Sequence, residues 1–159
     1  MVRFLRVYVY INCMNNINFK ELVEEAKKFG VDRFVVAGII LNDSKVLILE
    51  RPKDDFMGGI YELPSGKVES GEDLHVALHR EIEEETNCKI KDIKEYLGNF
   101  EYMSKSGKRT RQFNFLIKIE EPFEIKLTEH DNFAWVEKEN LFEFPVTDSV
   151  KKVLDFEWS

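Results

Sequence analysis

A helical pattern stands out over residues 73–87, where apolar side chains recur every three or four positions. The members of this apolar stripe are Leu74, Ala77, Leu78 and Ile82. Because a helix turns by about 100° per residue, Glu81 and Glu85 fall within the stripe and Glu84 falls at its edge. The pattern predicts a helix whose buried side carries carboxylates. In the alternative interpretation, the stripe is narrower and the glutamates form a solvated face, as in most Glu-rich helices.

Runs of β-branched and aromatic residues predict the strands of a sheet. The runs are residues 6–11, 34–41, 46–49, 93–103, 112–119 and 133–136, with a short further candidate at 124–127. Asn42, Asp43 and Ser44 separate the second and third runs and favour a tight turn, which predicts a hairpin. A basic, glycine-containing stretch at residues 104–111 joins the next two runs into a second hairpin.

Two more helices are predicted from their capping residues and apolar faces. One begins after Asn18, a good N-cap, and ends before Gly30. Its apolar face is formed by Phe19, Leu22, Val23, Ala26 and Phe29. The other covers residues 147–156 and begins at Thr147 or Asp148, both of which are common N-caps.

Composition narrows the classes of function. The chain has 159 residues, of which 43% are hydrophobic, and this suits a folded domain. Its net charge of −7 opposes binding to nucleic acid, and no apolar run is long enough to span a bilayer. Two cysteines provide no disulfide framework, so a cytoplasmic location is expected. We expect a strand–helix extension at residues 1–31, which is a candidate homodimer interface, packed on a domain at residues 32–159.

Carboxylates on the buried side of a helix need compensation, because an unpaired buried charge is costly. Glu81, Glu84 and Glu85 also lie close enough to repel one another. Hard divalent cations such as Mg²⁺ take oxygen ligands and neutralise such a cluster. The helix is therefore a candidate metal site.

The sequence around the helix supports this interpretation. Gly66, Glu72, Arg80, Glu81, Ile82, Glu84 and Glu85 stand at the spacings G-x5-E-x7-R-E-U-x-E-E, where U is aliphatic. This arrangement resembles the Nudix box of the Nudix hydrolase family, and residues 62–65 resemble the loop that enters the box. Thr86, Asn87 and Cys88 replace the x-G-U that closes the box. Asparagine often substitutes for glycine in a left-handed helix end, and no metal ligand is lost.

The resemblance implies a Nudix-type α/β/α sandwich with a mixed, curved sheet. It also implies a divalent-metal-dependent hydrolase of nucleoside diphosphate-linked compounds. The leading subtype is a MutT-like nucleoside triphosphate pyrophosphohydrolase, which releases a nucleoside monophosphate and pyrophosphate. Two alternatives stay open: a nucleotide sensor without catalysis, and a hydrolase of another diphosphate such as a sugar nucleotide or a dinucleoside polyphosphate.

The resemblance also assigns the residues of the site. The metal ligands for Mg²⁺ or Mn²⁺ are Glu81, Glu84 and Glu85, with the Gly66 carbonyl and Glu129. Glu129 completes the cluster or accepts a proton, with Asp131 as second choice, unless it is only a polar loop residue. Arg80 is the remaining catalytic residue; we place it on the other side of the helix from Glu81 and expect it to orient the box loop through Glu72.

Four residues are candidate contacts to a small nucleotide substrate. Arg51 is placed to touch phosphates, although it could equally pair with one of the aspartates that follow it. Lys108 and Arg109 belong to the basic hairpin tip, which either steers a phosphorylated substrate or is a solvated loop. Asp148 either hydrogen-bonds the nucleobase edge or acts only as the helix N-cap.

Overall fold

A computed structural model describes residues 16–156 and residue 158. The strand predicted at residues 6–11 lies outside the described residues. The elements in chain order are α1 (Phe19–Lys28), β1 (Arg33–Asn42), β2 (Lys45–Glu50), β3 (Tyr61–Glu62), β4 (Ser65–Lys67), α2 (Leu74–Thr86), β5 (Ile90–Met103), β6 (Arg109–Ile119), β7 (Asn132–Glu137), a 3₁₀ helix (Lys138–Glu143) and α3 (Asp148–Val153).

The strands form one open, mixed sheet in the order β3-β2-β1-β6-β5. β4 pairs with β1, and β7 pairs with β2. β1 is parallel to β6 and antiparallel to β2 and β4. Both predicted hairpins, β1–β2 and β5–β6, are confirmed. β4 pairs with β1 on one side only, which leaves the outer backbone groups of this short edge strand available to side chains.

Helices cover both faces of the sheet, each over its own apolar core. On the first face, α1 and α2 pack on a core that includes Phe113 and Phe115 of β6. The predicted α2 stripe is confirmed, because all four of its apolar residues are fully buried there. On the second face, the 3₁₀ helix and α3 cover a core that includes Ala37 and Phe100. The α/β/α sandwich with a mixed sheet is therefore confirmed.

The ends of α2 follow the predicted capping chemistry. Asp73 is the N-cap, and its side chain accepts a hydrogen bond from Val76 N at 2.8 Å. Asn87 ends the helix with φ of 63°, the left-handed conformation predicted for it. These two residues fix the register of the helix and hence the direction in which its glutamates point. No helix in the described residues has the length and apolar character needed to cross a bilayer.

Three predictions about elements differ from the structure. Residues 124–127 do not form a strand. Lys126 N donates a hydrogen bond to Thr86 O at 3.1 Å, so this backbone contacts the end of α2 and does not pair in the sheet. Its alternating apolar side chains pack against the core of the first face. α3 ends at Val153, three residues before the predicted end. Phe29 follows the last residue of α1 and is exposed, with the Arg111 guanidinium 5.7 Å from its ring centroid.

Candidate active site

α2 presents two glutamates to the edge strand β4. Glu85 is only 6% exposed, and its Oε2 accepts a hydrogen bond from Ser65 N at 2.8 Å. The Glu81 side chain is 13% exposed and lies directly against Gly66. A Cβ atom at residue 66 would stand 1.9 Å from Glu81 Cδ, so only glycine permits this approach. The inward orientation predicted for both carboxylates is confirmed, and the solvated-face alternative is wrong for them.

Burial and neighbouring negative charge make both carboxylates harder to ionise. Burial, together with the charges of Glu62, Glu81 and Glu129, raises the pKa of Glu85 to about 9 against the opposing effect of the Ser65 N–H. Burial also raises the pKa of Glu81, even though Arg80 donates a hydrogen bond to it. Both groups would therefore hold their charge more easily beside an additional cation.

Arg80 is the cation nearest to the acidic cluster. It forms a bidentate ion pair with Glu72, in which Nε donates to Oε1 at 2.8 Å and Nη2 donates to Oε2 at 2.9 Å. This confirms the predicted partner. Nη2 also donates to Lys67 O at 2.9 Å, so Arg80 ties the loop after β4 to the helix. The prediction that Arg80 lies away from Glu81 is wrong. Its long side chain bends back, and Nη1 lies 2.7 Å from Glu81 Oε1 and 3.1 Å from Glu84 Oε2.

Glu84 and Glu129 complete the acidic cluster. The Glu84 side chain is largely exposed at the edge of the stripe, as predicted. Thr128 Oγ1 donates to the Glu84 carbonyl at 2.9 Å, which fastens the loop carrying Glu129 to α2. The charge of Glu129 acts on both buried glutamates. Asp131, the second choice, instead accepts a hydrogen bond from Lys53 N at 3.2 Å.

Beside this cluster lies a polar chain that the sequence did not point to. His130 Nε2 donates to Glu62 Oε1 at 2.9 Å, and Glu62 Oε2 accepts from Arg51 Nη1 at 3.3 Å. Arg51 also pairs with Asp55 at 2.9 Å, which matches the predicted alternative for this arginine. His130 Nδ1 and Arg51 Nε are fully enclosed and have no hydrogen-bond partner among the described residues. Nothing in the sequence pattern around His130 indicates that it is buried.

Among the described residues, the other three candidate substrate residues form no hydrogen bond or ion pair with the glutamates of α2. Arg109 donates hydrogen bonds to Glu101 Oε2 at 2.7 Å and to the carbonyl of Phe29, the residue that follows α1. The guanidinium of Arg109 therefore connects β5 to the end of α1. Lys108 is exposed at the hairpin tip. Asp148 is 93% exposed with a 4.0 Å contact to Lys151, and Thr147 supplies the N-cap bond to Val150 N. The structure brings Arg51, and not these residues, next to the acidic cluster.

Comparison with known proteins places this geometry in a family. A family model described as the NUDIX domain matches residues 32–155. The chain belongs to the Nudix family. This confirms the resemblance predicted from the box, and it places the glutamates of α2 within a Nudix domain.

Individual Nudix relatives match over shorter stretches. The CTP pyrophosphohydrolase of Escherichia coli K12 is 38% identical over 65 residues, which cover 41% of this chain and 47% of that protein. The ADP-ribose pyrophosphatase of Methanocaldococcus jannaschii is 44% identical over 63 residues, which cover 40% and 36%. The chain spans about half the length of the curated relatives it matches.

A solved Nudix structure shares the fold. The MutT Nudix hydrolase from Burkholderia pseudomallei superimposes with a TM-score of 0.68 at 24% identity, over 77% of this chain and 95% of that one. This identity shows the fold alone. The open mixed sheet with flanking helices is thus a fold that this chain shares with a solved Nudix hydrolase.

Nudix hydrolases generally use Mg²⁺ or Mn²⁺. In the described part of the chain, no three His, Cys, Asp or Glu side chains are arranged to hold an ion as they stand. Arg80 occupies the space between Glu81 and Glu84. The donor set nevertheless fits such a cation: all its side chains are carboxylates, the pKa of Glu85 is raised, and Gly66 leaves room for the Glu81 carboxylate.

Proposed function

We propose that the chain is a divalent-metal-dependent hydrolase of nucleoside diphosphate-linked compounds. The subtype we favour is a nucleoside triphosphate pyrophosphohydrolase that releases a monophosphate and pyrophosphate. The observation that carries the proposal is the pair of glutamates, Glu81 and Glu85, held inward at the β4 edge with one guanidinium beside them. Such a cluster is suited to a polyanionic substrate only when cations accompany it.

In this proposal Glu81, Glu84, Glu85 and Glu129 hold Mg²⁺ or Mn²⁺, with the carbonyl of Gly66. When bound, ions of this kind neutralise phosphate oxygens and lower the pKa of bound water. The residues of the chain set the geometry around them. The Ser65 amide fixes the Glu85 carboxylate, and the absence of a side chain at Gly66 lets Glu81 approach the strand.

Arg80, Glu129 and Arg51 have distinct roles in the proposal. Arg80 fixes the loop between β4 and α2 through Glu72 and the Lys67 carbonyl. Glu129 lies on a loop fastened to α2, and it completes the cluster or accepts a proton from water. Arg51 borders the cluster through Glu62 and is the phosphate contact.

The test is hydrolysis of a nucleotide panel with Mg²⁺ or Mn²⁺ by the wild type and by Glu84→Gln and Glu85→Gln. We expect both variants to lose at least about 100-fold in kcat, because each loses a charge that acts on the transition state. Glu83→Gln is the matched control. It lies on the same helix with its side chain exposed beside Lys89, and it should retain wild-type turnover.

Each other outcome selects a different function. Nucleotide binding without turnover by the wild type would favour the sensor alternative. If both variants keep wild-type turnover, Glu84 and Glu85 are not part of the catalytic site. Adding ADP-ribose to the panel tests the second candidate, which the identity to the Methanocaldococcus jannaschii ADP-ribose pyrophosphatase favours.

A further inference from the structure

β6 buries two amide side chains on the second face of the sheet. Gln112 is 7% exposed and Asn114 is fully buried. Phe113 lies between them in the sequence and Phe115 follows Asn114. Both phenylalanines point to the first face and pack in the core under α1 and α2. Buried amides in a strand are costly unless they are hydrogen-bonded, so their presence calls for a specific partner.

The strand register shows which side chains surround Gln112. It stands opposite Val35 of β1 and opposite Phe100 of β5, and Val35 stands opposite Lys67 of β4. Directly paired residues point to the same face. Gln112 therefore lies in a row that crosses the sheet to the β4 edge, two inter-strand spacings or about 10 Å away. The acidic cluster is at that edge.

The hydrogen bonds of the amide pair leave one atom available. Gln112 Nε2 donates to Asn114 Oδ1 at 3.0 Å, and Asn114 Nδ2 donates to the Gly98 carbonyl at 3.1 Å. The Gln112 amide is thus held in one orientation. Its Oε1 accepts no hydrogen bond from any described residue, and the residue keeps 7% of its surface exposed. An aligned acceptor of this kind is suited to a ligand that donates a hydrogen bond.

Two neighbours make the surroundings of Gln112 suitable for a nucleoside. Tyr102 pairs with Thr110, the next residue of the same β6 face, and its exposed ring lies beside Phe100 with 6.2 Å between centroids. Aromatic rings of this kind stack on bases. Tyr102 is also within electrostatic range of Glu62, Arg33 and Arg51. The surroundings of Gln112 therefore offer an aromatic surface, an amide oxygen and guanidinium groups.

We propose that Gln112 Oε1, held by Asn114, accepts a hydrogen bond from the exocyclic amino group of the nucleobase. The ligand class is a nucleotide of adenine or cytosine, whose diphosphate lies at the β4 edge. This inference rests on the proposed function and moves base selection from Asp148 to β6.

The test uses substrate pairs that differ at one edge of the base, CTP with UTP and ATP with ITP. The wild type should show kcat/KM at least about tenfold higher for the amino member of each pair, because UTP and ITP would place a carbonyl oxygen, and no donor, against Gln112 Oε1. In Gln112→Met this preference should fall to within about threefold. The amide-free side chain has a similar volume, and thermal unfolding checks that the variant folds.

Thr110→Val is the matched control. It also removes one polar group from the same face of β6, but the Thr110 hydroxyl donates to the Lys108 carbonyl and away from the row. It should keep the preference. Gln112→Glu keeps an acceptor oxygen but loses the Nε2–H bond to Asn114 Oδ1 that orients it, so its amino preference should also fall. Loss of the preference in Thr110→Val, or its full retention in Gln112→Glu, would overturn the proposal.

Binding of non-hydrolysable analogues of the four nucleotides separates this inference from the proposed function. A wild type that binds the amino analogues preferentially but hydrolyses nothing would contradict the function and support the inference. A wild type that hydrolyses all four nucleotides equally would support the function and overturn the inference. A preference that survives in Gln112→Met would also overturn it.

Discussion

Gly66→Ala tests whether the close approach of Glu81 to β4 is needed for activity. The new Cβ would lie 1.9 Å from Glu81 Cδ and Oε2, well inside any real contact. Gly66 is not one of the glycines with positive φ, so alanine fits the backbone, and the three atoms nearest to its Cβ would all belong to the Glu81 carboxylate. The distance between the new Cβ and the Glu81 carboxylate must increase from 1.9 Å to at least 3.4 Å, so the carboxylate must move by 1.5 Å.

The energetic consequences of this movement fall mainly on activity. Moving a long side chain off its rotamer costs about 0.5–1.5 kcal/mol. Alanine in a strand regains about 0.5–1 kcal/mol relative to glycine. The free energy of unfolding should therefore change by less than about 1 kcal/mol. A misplacement of about 1 Å at a reacting centre costs about 100-fold in rate, and that is the loss we expect in kcat.

The assay compares kcat and urea unfolding of Gly66→Ala with those of Gly38→Ala. At Gly38 a Cβ would meet Ile82 and Ile117 at 2.6 and 2.7 Å inside the core. This control should lose about 1–3 kcal/mol of stability by overpacking and keep most of its kcat. Wild-type kcat in Gly66→Ala, or a stability loss as large as that of Gly38→Ala, would refute the reasoning.

Three further predictions concern charge. Glu85→Gln removes a carboxylate whose pKa burial raises to about 9. The variant should therefore have a higher midpoint of urea unfolding at pH 8 than the wild type while it loses hydrolysis, and a lower midpoint would contradict this. Arg80 lowers the pKa of Glu72 to about 2. The wild type should therefore be more stable than Glu72→Gln above about pH 4.5 and lose that advantage as the pH falls toward 2. A stability difference that does not depend on pH would contradict this prediction. Arg111→Met should cost about 3 kcal/mol in urea unfolding, because it breaks a buried ion pair. The exposed Arg109→Met should cost under about 1 kcal/mol, and equal losses would refute the distinction.

The parts of the site that lie on one helix could be predicted from sequence. A regular helix fixes the angle between its residues, so the inward direction of Glu81 and Glu85 follows once Leu74, Ala77, Leu78 and Ile82 define the buried stripe. The partner of Arg80 was predictable too, although the bend of its side chain toward Glu81 was not. A flexible side chain can reach residues that the helical angle alone places apart.

Residues brought together by sheet register could not be predicted in the same way. Alternation along β6 indicates that Gln112 and Phe113 point to opposite faces, but it does not show which strands flank them. The parallel pairing with β1 joins segments about 77 positions apart, and no local signal encodes it. For the same reason the His130 side chain could not be recognised as buried, because its partner Glu62 lies 68 positions away in the sequence.

The edge position of β4 connects the acidic cluster with the amide pair. Successive residues of a strand point to opposite faces, so Gly66 faces α2 while Ser65 and Lys67 face the side of Gln112. The unpaired outer edge also presents the Ser65 amide to Glu85. A substrate lying across this edge could place its phosphates by the carboxylates of α2 and extend its base over the second face. A buried central strand would separate these two surfaces by the thickness of the sheet, and for this reason both parts of the proposed site depend on a strand only three residues long.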